Sequence, residues 1–165
     1  MHRVQRTVAS EVSPQTGVVY GHFYIQDKGV SWFHDSSQPE PGPPEDDDLV
    51  RTALDWISIV SAAGDHVAGA QLEAWDWEPQ RQDDWEVSAD FEFTCTTGNV
   101  ALVAVMMGPS TEELIIGAPG TYRGRVYSRG AGGCRGGPYL PRWCEATSNT
   151  HLATCSPLRF GLRQG

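Results

Sequence analysis

The sequence predicts an all-β protein: an antiparallel β-sandwich of six or seven strands followed by an irregular C-terminal tail. Three observations carry this reading. From Trp85 to Cys95 the chain reads WEVSADFEFTC, which puts Trp85, Val87, Ala89, Phe91, Phe93 and Cys95 on one face of a strand and Glu86, Ser88, Asp90, Glu92 and Thr94 on the other. Further short runs rich in β-branched and aromatic residues recur between turn-forming Gly, Pro and Asn residues. Nowhere do strands alternate with long amphipathic helices, as a parallel sheet would require.

Residues 1–16 read as a flexible N-terminus, and the domain proper runs from 17 to 128. Val18 to Gln26 (VVYGHFYIQ) is the first strand, with Gly21 marking a bulge or a close backbone approach. A short apolar patch follows at Trp32 and Phe33. Ser36 to Asp48, SSQPEPGPPEDDD, holds four prolines and five acids and no apolar residue, the composition of a mobile surface loop. Its acids lack the D-x-D-x-D-G spacing of a calcium loop. Leu49 to Ala63 is ambiguous. Val50, Ala53, Leu54, Ile57 and Val60 make a helical stripe, whereas WISIV is a β-type pentapeptide, and a strand from about Leu54 to Ser61 is the favoured assignment.

His66 to Glu78 alternates through Ala68, Ala70, Leu72 and Ala74 as a strand, and Pro79 to Asp84 is a polar connection into the Trp85 strand. After a Thr-Thr-Gly-Asn turn, Val100 to Met107 pairs back on it as a hairpin. Glu113 to Ile116 with a Gly117-Ala-Pro-Gly120 turn, and Thr121 to Ser128 with Tyr122, Gly124 and Val126 on one side, complete the set. The expected core is Val19, Phe23, Ile25, Ile57, Ile59, Leu72, Val87, Phe91, Phe93, Leu102, Ile115, Tyr122 and Val126.

Composition narrows the function classes. The 165 residues carry a formal charge of −9, distributed unevenly: 7 Lys/Arg against 20 Asp/Glu in residues 1–128, but 5 against 1 in residues 129–165. An acidic body repels nucleic acid and anionic membranes, so direct contact with either is not expected, while a basic protein partner would be attracted. Acidity also serves solubility alone. The longest apolar run, Val100 to Met107, is far below the ~20 residues of a membrane span, and MHRVQRTVASEVS lacks a signal-peptide core. A cytoplasmic location with cysteines as thiols is the resulting expectation.

No catalytic signature stands out, and neither a catalytic residue nor a cofactor is assigned. His2, His22, His34 and His66 lie in no metal-ligand spacing; G-x-S-x-G, P-loop and dinucleotide fingerprints are absent. Glu86, Asp90 and Glu92 are adjacent acids on a solvent face, not a paired acid and base. The stretch LEAWDWEPQRQDDWE holds more tryptophan than a core of this size needs. Trp75, Asp76, Trp77, Glu78, Asp83, Asp84 and Glu86 are therefore the candidate partner-binding residues, because Trp is favoured at interface centres and the acids suit a basic protein. Exposed Trp75 and Trp77 would equally stack on sugars, or cap the sandwich edge.

The run VSADFEFTCTTGNVALVAVMMGPSTEELIIGAPGTYRGRVYS, Val87 to Ser128, resembles the C-terminal half of the competence protein J family, and also a group of uncharacterised actinobacterial β domains. The likeness lies in a strand, a Gly turn, an apolar strand, a short acidic-apolar segment and a Pro119-Gly120-Thr121-Tyr122 strand entry; it covers about a quarter of the chain, and Val18 to Gln26 loosely. That family consists of small bacterial β proteins that inhibit a DNA-entry nuclease, so the resemblance implies an interaction protein rather than an enzyme. It assigns no inhibitory residue.

Such a family continues with a further strand, whereas here residues 129–165 lose periodicity and acids and fill with Gly, Arg, Cys, Pro, Ser and Thr. This is the composition of a GC-rich gene read in a shifted frame, and the tail after about Gly130 is read as aberrant. The competing reading takes it as native, with Cys134, Cys144, His151 and Cys155 as weak zinc candidates; their first spacings exceed those of finger knuckles. Three functions remain: an inhibitor or immunity-type protein binding a basic partner such as a nuclease, a carbohydrate- or small-ligand-binding sandwich, and an enzyme of unrecognised type.

Overall fold

The computed structural model describes residues 8–30, 42–45, 48–61, 65–75, 80–129 and 148–155, and among them there are eleven strands and no helix. In chain order these are β1 (Val8–Val12), β2 (Gln15–Val19), β3 (His22–Asp27), β4 (Val50–Ala53), β5 (Trp56–Val60), β6 (Asp65–Trp75), β7 (Val87–Cys95), β8 (Asn99–Ala104), β9 (Gly108–Ile115), β10 (Gly120–Arg129) and β11 (Ser148–Cys155). The fold is all-β, as the sequence predicts.

The strands pair in two groups. One runs β4-β5-β3-β8-β9, and in the other β1 and β2 both lie along β6, which continues through β11 and β10 to β7. All pairs are antiparallel except β6 with β11. The groups join at the β2–β3 hairpin, where Val19 pairs with His22 across Tyr20 (φ 64°) and Gly21 (φ 76°). Two successive positive φ angles are the signature of a two-residue turn matched to strand twist. Gly21 is therefore a turn residue and not a bulge, and the single strand expected over Val18 to Gln26 is two.

A similar turn resolves the ambiguity at 49–61. The segment is β throughout, but Leu54 and Asp55 (φ 66°) make a hairpin between β4 and β5, so the strand begins at Trp56 rather than Leu54. Residues 8–16, expected to be flexible, form β1 and the start of β2, interrupted at Pro14, whose carbonyl accepts the Ala70 N–H at 3.0 Å. Of the loop 36–48, only residues 42–45 and 48 are described; there Glu45 pairs with Arg51 at 3.2 Å and Pro44 is buried.

The core draws on both groups: Val18, Phe23, Ile25, Ile57 and Ile59 meet Leu72, Phe91, Phe93, Leu102, Leu114, Tyr122 and Val126. Three expected members differ. Val18 replaces Val19, because the Tyr20-Gly21 turn fixes which face of β2 points inward. Leu114 replaces Ile115, which is 65% exposed, because Leu114 stands opposite the buried Val100 in the β8–β9 register and Ile115 stands opposite Asn99. Val87 obeys the alternation but is 41% exposed, since it lies at the start of the last strand of its group. Trp85 stands outside the strand altogether. From Ala89 to Cys95 the buried and exposed positions alternate as expected.

Two acids buried in this apolar setting are structural. Asp27 accepts N–H bonds from Gly29 (2.8 Å), Thr97 (2.9 Å) and Gly98 (3.0 Å) and the Thr97 hydroxyl (2.8 Å). Asp55 accepts the Thr96 N–H (2.6 Å) and hydroxyl (2.7 Å). Together they fix the β7–β8 turn, and such charge-assisted bonds are what make a buried carboxylate tolerable. The group containing β3 is buried on its other face as well, where Tyr24 meets His22 and Trp56 edge-on, each at 5.2 Å between centroids.

Within the stretch expected to be an irregular tail, Ser148–Cys155 is a strand inserted between β6 and β10. Residues 130–147 and 156–165 lie outside the described residues. Backbone pairing explains how a segment without alternation can occupy the slot: β6 and β10 each present unpaired N–H and C=O groups there, and any extended chain satisfies them.

Candidate protein interface

The register of the second group aligns residues of neighbouring strands in rows. Gln71, His151, Tyr127 and Ser88 align across β6, β11, β10 and β7; the next row is Glu11, Glu73, Ala153, Arg125 and Asp90; the next is Trp75, Cys155, Arg123 and Glu92. Acids of β7 thus stand opposite arginines of β10. Arg125 Nε donates to Asp90 Oδ1, and Nη2 to Oδ2 at 3.3 Å; Arg81 lies 3.9 Å away. Asp90 is held below the usual carboxylate range chiefly by the Arg125 hydrogen bond, and Arg125 is raised in return. Glu92 has no such bond, though Arg123 faces it in register. The acidic face of β7 is therefore partly neutralised by its own sheet.

β6 and β7 run in the same direction, because β6 is parallel to β11 while β10 is antiparallel to both β11 and β7. The connection between them must return the chain, and its described part, residues 80–86, crosses the outer face of β10. Gln82 N–H donates to the Tyr127 hydroxyl at 3.0 Å, and Trp85 lies on the Tyr127 ring at 5.8 Å with its indole N–H on Gln82 Oε1 at 2.7 Å. Tyr127 is buried in consequence, although it sits on the side of β10 away from the core. The crossover raises Asp83, Asp84 and Glu86 into solvent as a short acidic ridge.

Trp75 is placed elsewhere. It ends β6, half-buried, and donates its indole N–H to Glu73 Oε2 at 2.9 Å, while Gln71 donates to Glu73 Oε1 at 2.7 Å. Four residues along β6 and two strand spacings separate it from Tyr127, roughly 16 Å by strand geometry. The candidate residues thus fall into two places on one face, Trp75 at one end and Asp83, Asp84 and Glu86 at the other. Asp76, Trp77 and Glu78 lie outside the described residues. Of the zinc candidates, His151 and Cys155 fall on β11, two rows apart in the register, and Cys134 and Cys144 are outside the described residues. Cys95 is a buried free thiol whose pKa is pushed up by desolvation. No group of three metal-ligating side chains occurs among the described residues.

Two solved structures share this fold. ComJ from Bacillus subtilis, described as an inhibitor of the DNA-degrading activity of NucA, superposes with a TM-score of 0.58 at 11% identity, over 93% of this chain and 99% of its own. A crocagin biosynthetic protein J gives 0.52 at 10% identity, over 91% and 99%. No protein-family model matches the sequence, and no curated protein is similar to it in sequence. The likeness extends the short resemblance read from Val87 to Ser128 to nearly the whole chain, as a likeness of fold. None of the helices a membrane span would need is found among the described residues.

Sequence reading missed two surface features. Val67, Met106 and Met107 are 61%, 66% and 75% exposed, and Met107 Sδ lies 2.9 Å from where a Cβ on Gly17, the register partner of Val67, would stand. Sequence showed Met106 and Met107 only as the end of an apolar run. The other is the uncovered start of β7, where alternation alone argued for burial.

Proposed function

We propose that the protein is a non-enzymatic inhibitor or immunity-type protein that binds a basic protein, such as a nuclease, in the bacterial cytoplasm. The observation that carries this reading is the crossover 80–86, a rigidly seated acidic ridge on a fold shared with a nuclease inhibitor. Its anchoring by Tyr127 lowers the ordering cost of binding, and its charge suits a partner that itself handles nucleic acid. The buried acids that would attract attention as catalytic groups, Asp27 and Asp55, are consumed by the turn they hold. DNA cleavage by a basic DNA-entry nuclease, measured with increasing amounts of this protein, is the test. Inhibition that weakens with salt, and weakens further in an Asp83→Lys, Asp84→Lys variant, is expected; cleavage unaffected at any ratio overturns the reading.

The tail belongs to the same proposal. We infer that residues after about Gly130 derive from a shifted frame and occupy a slot that a family strand fills elsewhere. Between β6 and β10 the register positions aligned with Ala68, Ala70, Leu72 and Ala74 fall on Ser148, Thr150, Leu152 and Thr154. A strand between two central strands is expected to be apolar at each of these, and only Leu152 is. Translating the gene downstream of the Gly130 codon in its other frames should reveal an alternating strand with apolar residues at every second position. Its absence in both frames removes the inference.

A further inference from the structure

We propose that the free edge of β7 over Val87–Glu92 is a docking site for an extended, basic segment of a partner protein, which adds to the sheet as a strand. The proposal rests on the partner-binding reading above and specifies its mode. Among the described residues β7 pairs on one side only, with β10. Its far end is closed, because the β4–β5 turn lies against it and Asp55 N–H donates to the Thr94 carbonyl at 2.9 Å. From Val87 to Glu92 no strand other than β10 pairs with it among the described residues.

Free strand edges invite pairing, and proteins blunt them with short strands, prolines or bulges. The other flanks of the two groups carry such devices. β4 has four residues; β1 has a register irregularity between Val8 and Ser10 and is followed by Pro14; β9 contains Pro109 and pairs through the irregularity at Ala101 and Val103. β7 is nine residues long with neither a proline nor a shift in register. Its core-side residues also lack cover at this end, with Val87 exposed and Ala89 half-buried, whereas Phe91 and Phe93 are enclosed. A strand added here would cover Val87 with an apolar side chain.

The chemistry of that strand follows from the other face. Beside the free edge stand Asp90 and Glu92, with Arg125 and Arg123 one strand further in. The added strand therefore meets acids first, and alternate basic residues on its outer face complete an alternation of sign across three strands, while its inner face is apolar. Acids at the edge also explain why a second copy of β7 is a poor occupant, since Asp90 and Glu92 would meet their own kind.

The test titrates isotope-labelled protein with a synthetic peptide of alternating valine and lysine, reading backbone amide shifts and exchange. Expected are changes confined to Val87–Glu92, a loss of affinity of about tenfold in Val87→Lys and about three- to tenfold in Glu92→Lys, and no loss in Glu112→Lys, an acid on the proline-bearing β9. Val87 and Glu92 are exposed, so both variants fold. Equal binding of a valine–glutamate peptide, equal losses in Glu112→Lys, shifts centred elsewhere or no binding each overturn the proposal. Nuclease inhibition assayed on the same variants separates the two readings: inhibition unchanged by Val87→Lys and Glu92→Lys keeps the inhibitor function and rejects the edge, whereas peptide capture by a protein that inhibits nothing keeps the edge alone.

Discussion

The β7–β10 pair and the β10–β11 pair share one strand and differ in everything that alternation can write into a sequence. Along β7 and β10 each rung is specified on both faces: Phe91 lies over Gly124, Phe93 faces Tyr122, Asp90 faces Arg125 and Thr94 bonds Thr121 through their hydroxyls at 2.8 Å. Gly124 is required there because a Cβ would enter the Phe91 ring. On the other side of β10, β11 offers Ser148, Thr150, Leu152 and Thr154 to the register positions that belong to the core. Backbone hydrogen bonds suffice to place a strand, but side-chain pattern is what makes its register unique. One edge of β10 meets a strand whose sequence alternates, and the other meets a strand, SNTHLATC, whose sequence does not.

The largest effect expected from this contrast is in the specified pair. Phe93→Ala should cost about 3–5 kcal/mol, the range for emptying a buried aromatic site, and urea unfolding followed by tryptophan fluorescence measures it. A cost below about 1 kcal/mol would mean that the β7–β10 side is no better defined than the β11 side. Next comes the clasp that sets where β7 turns into β8. In Asp27→Asn an amide replaces one of two oxygens that each accept from two donors, so a donor must face donors, at about 2–3 kcal/mol. Amide exchange at Thr97 and Gly98 should quicken with it, and an unchanged exchange rate would dissolve the clasp.

Legibility followed the same division. The periodicity of WEVSADFEFTC and TYRGRVYS yielded the strands and their inward faces, because a half-buried strand must alternate, but not their pairing: Val100 to Met107 was expected to pair back on the Trp85 strand, whereas β7 pairs with β10 and β8 with β3 and β9. What sequence could not reach were features decided by backbone geometry or by distant partners. Tyr20 and Asp55 take positive φ, so the β2–β3 hairpin was read as a single strand and the turn at Leu54-Asp55 as the start of one. Trp85 continued the alternation but left the strand to cover Tyr127, a residue 42 positions further on. Nothing in the sequence marked Asp27 and Asp55 as buried, because the Thr96-Thr97-Gly98 donors that justify their burial come later in the chain. On the surface, the solvent exposure of Asp83, Asp84 and Glu86 was legible, while the one-sided pairing of β7 was not, since an unpaired edge is a property of topology.

A smaller effect probes the unspecified side directly. Thr150→Val and Thr154→Val preserve shape at core-register positions of β11 while removing a hydroxyl, and together should raise stability by about 1 kcal/mol. The same change at Thr94 of β7, which trades a hydroxyl bond with Thr121, should give no gain. Destabilisation by the β11 pair would show that its threonines are bonded as deliberately as those of β7, and the contrast between the two flanks of β10 would fail.

The smallest effect concerns the charge rung. Asp90 has its pKa lowered, chiefly by the hydrogen bond from Arg125, so its folded form releases its proton more readily than the unfolded chain. The stabilisation is therefore fully present above the ordinary carboxylate value of about 4 and disappears as pH falls through the lowered one. Because the Asp90 carboxylate is largely exposed, water and salt screen the pair, and the contribution should stay below about 0.5 kcal/mol. Asp90→Asn removes it: the difference in urea midpoint between wild type and variant should be small at neutral pH and close to nil in strong acid. A difference that grows on acidification would reverse the sign and show that the Arg125 bond does not favour the ionised form, leaving the β7–β10 rung held by its packed face alone.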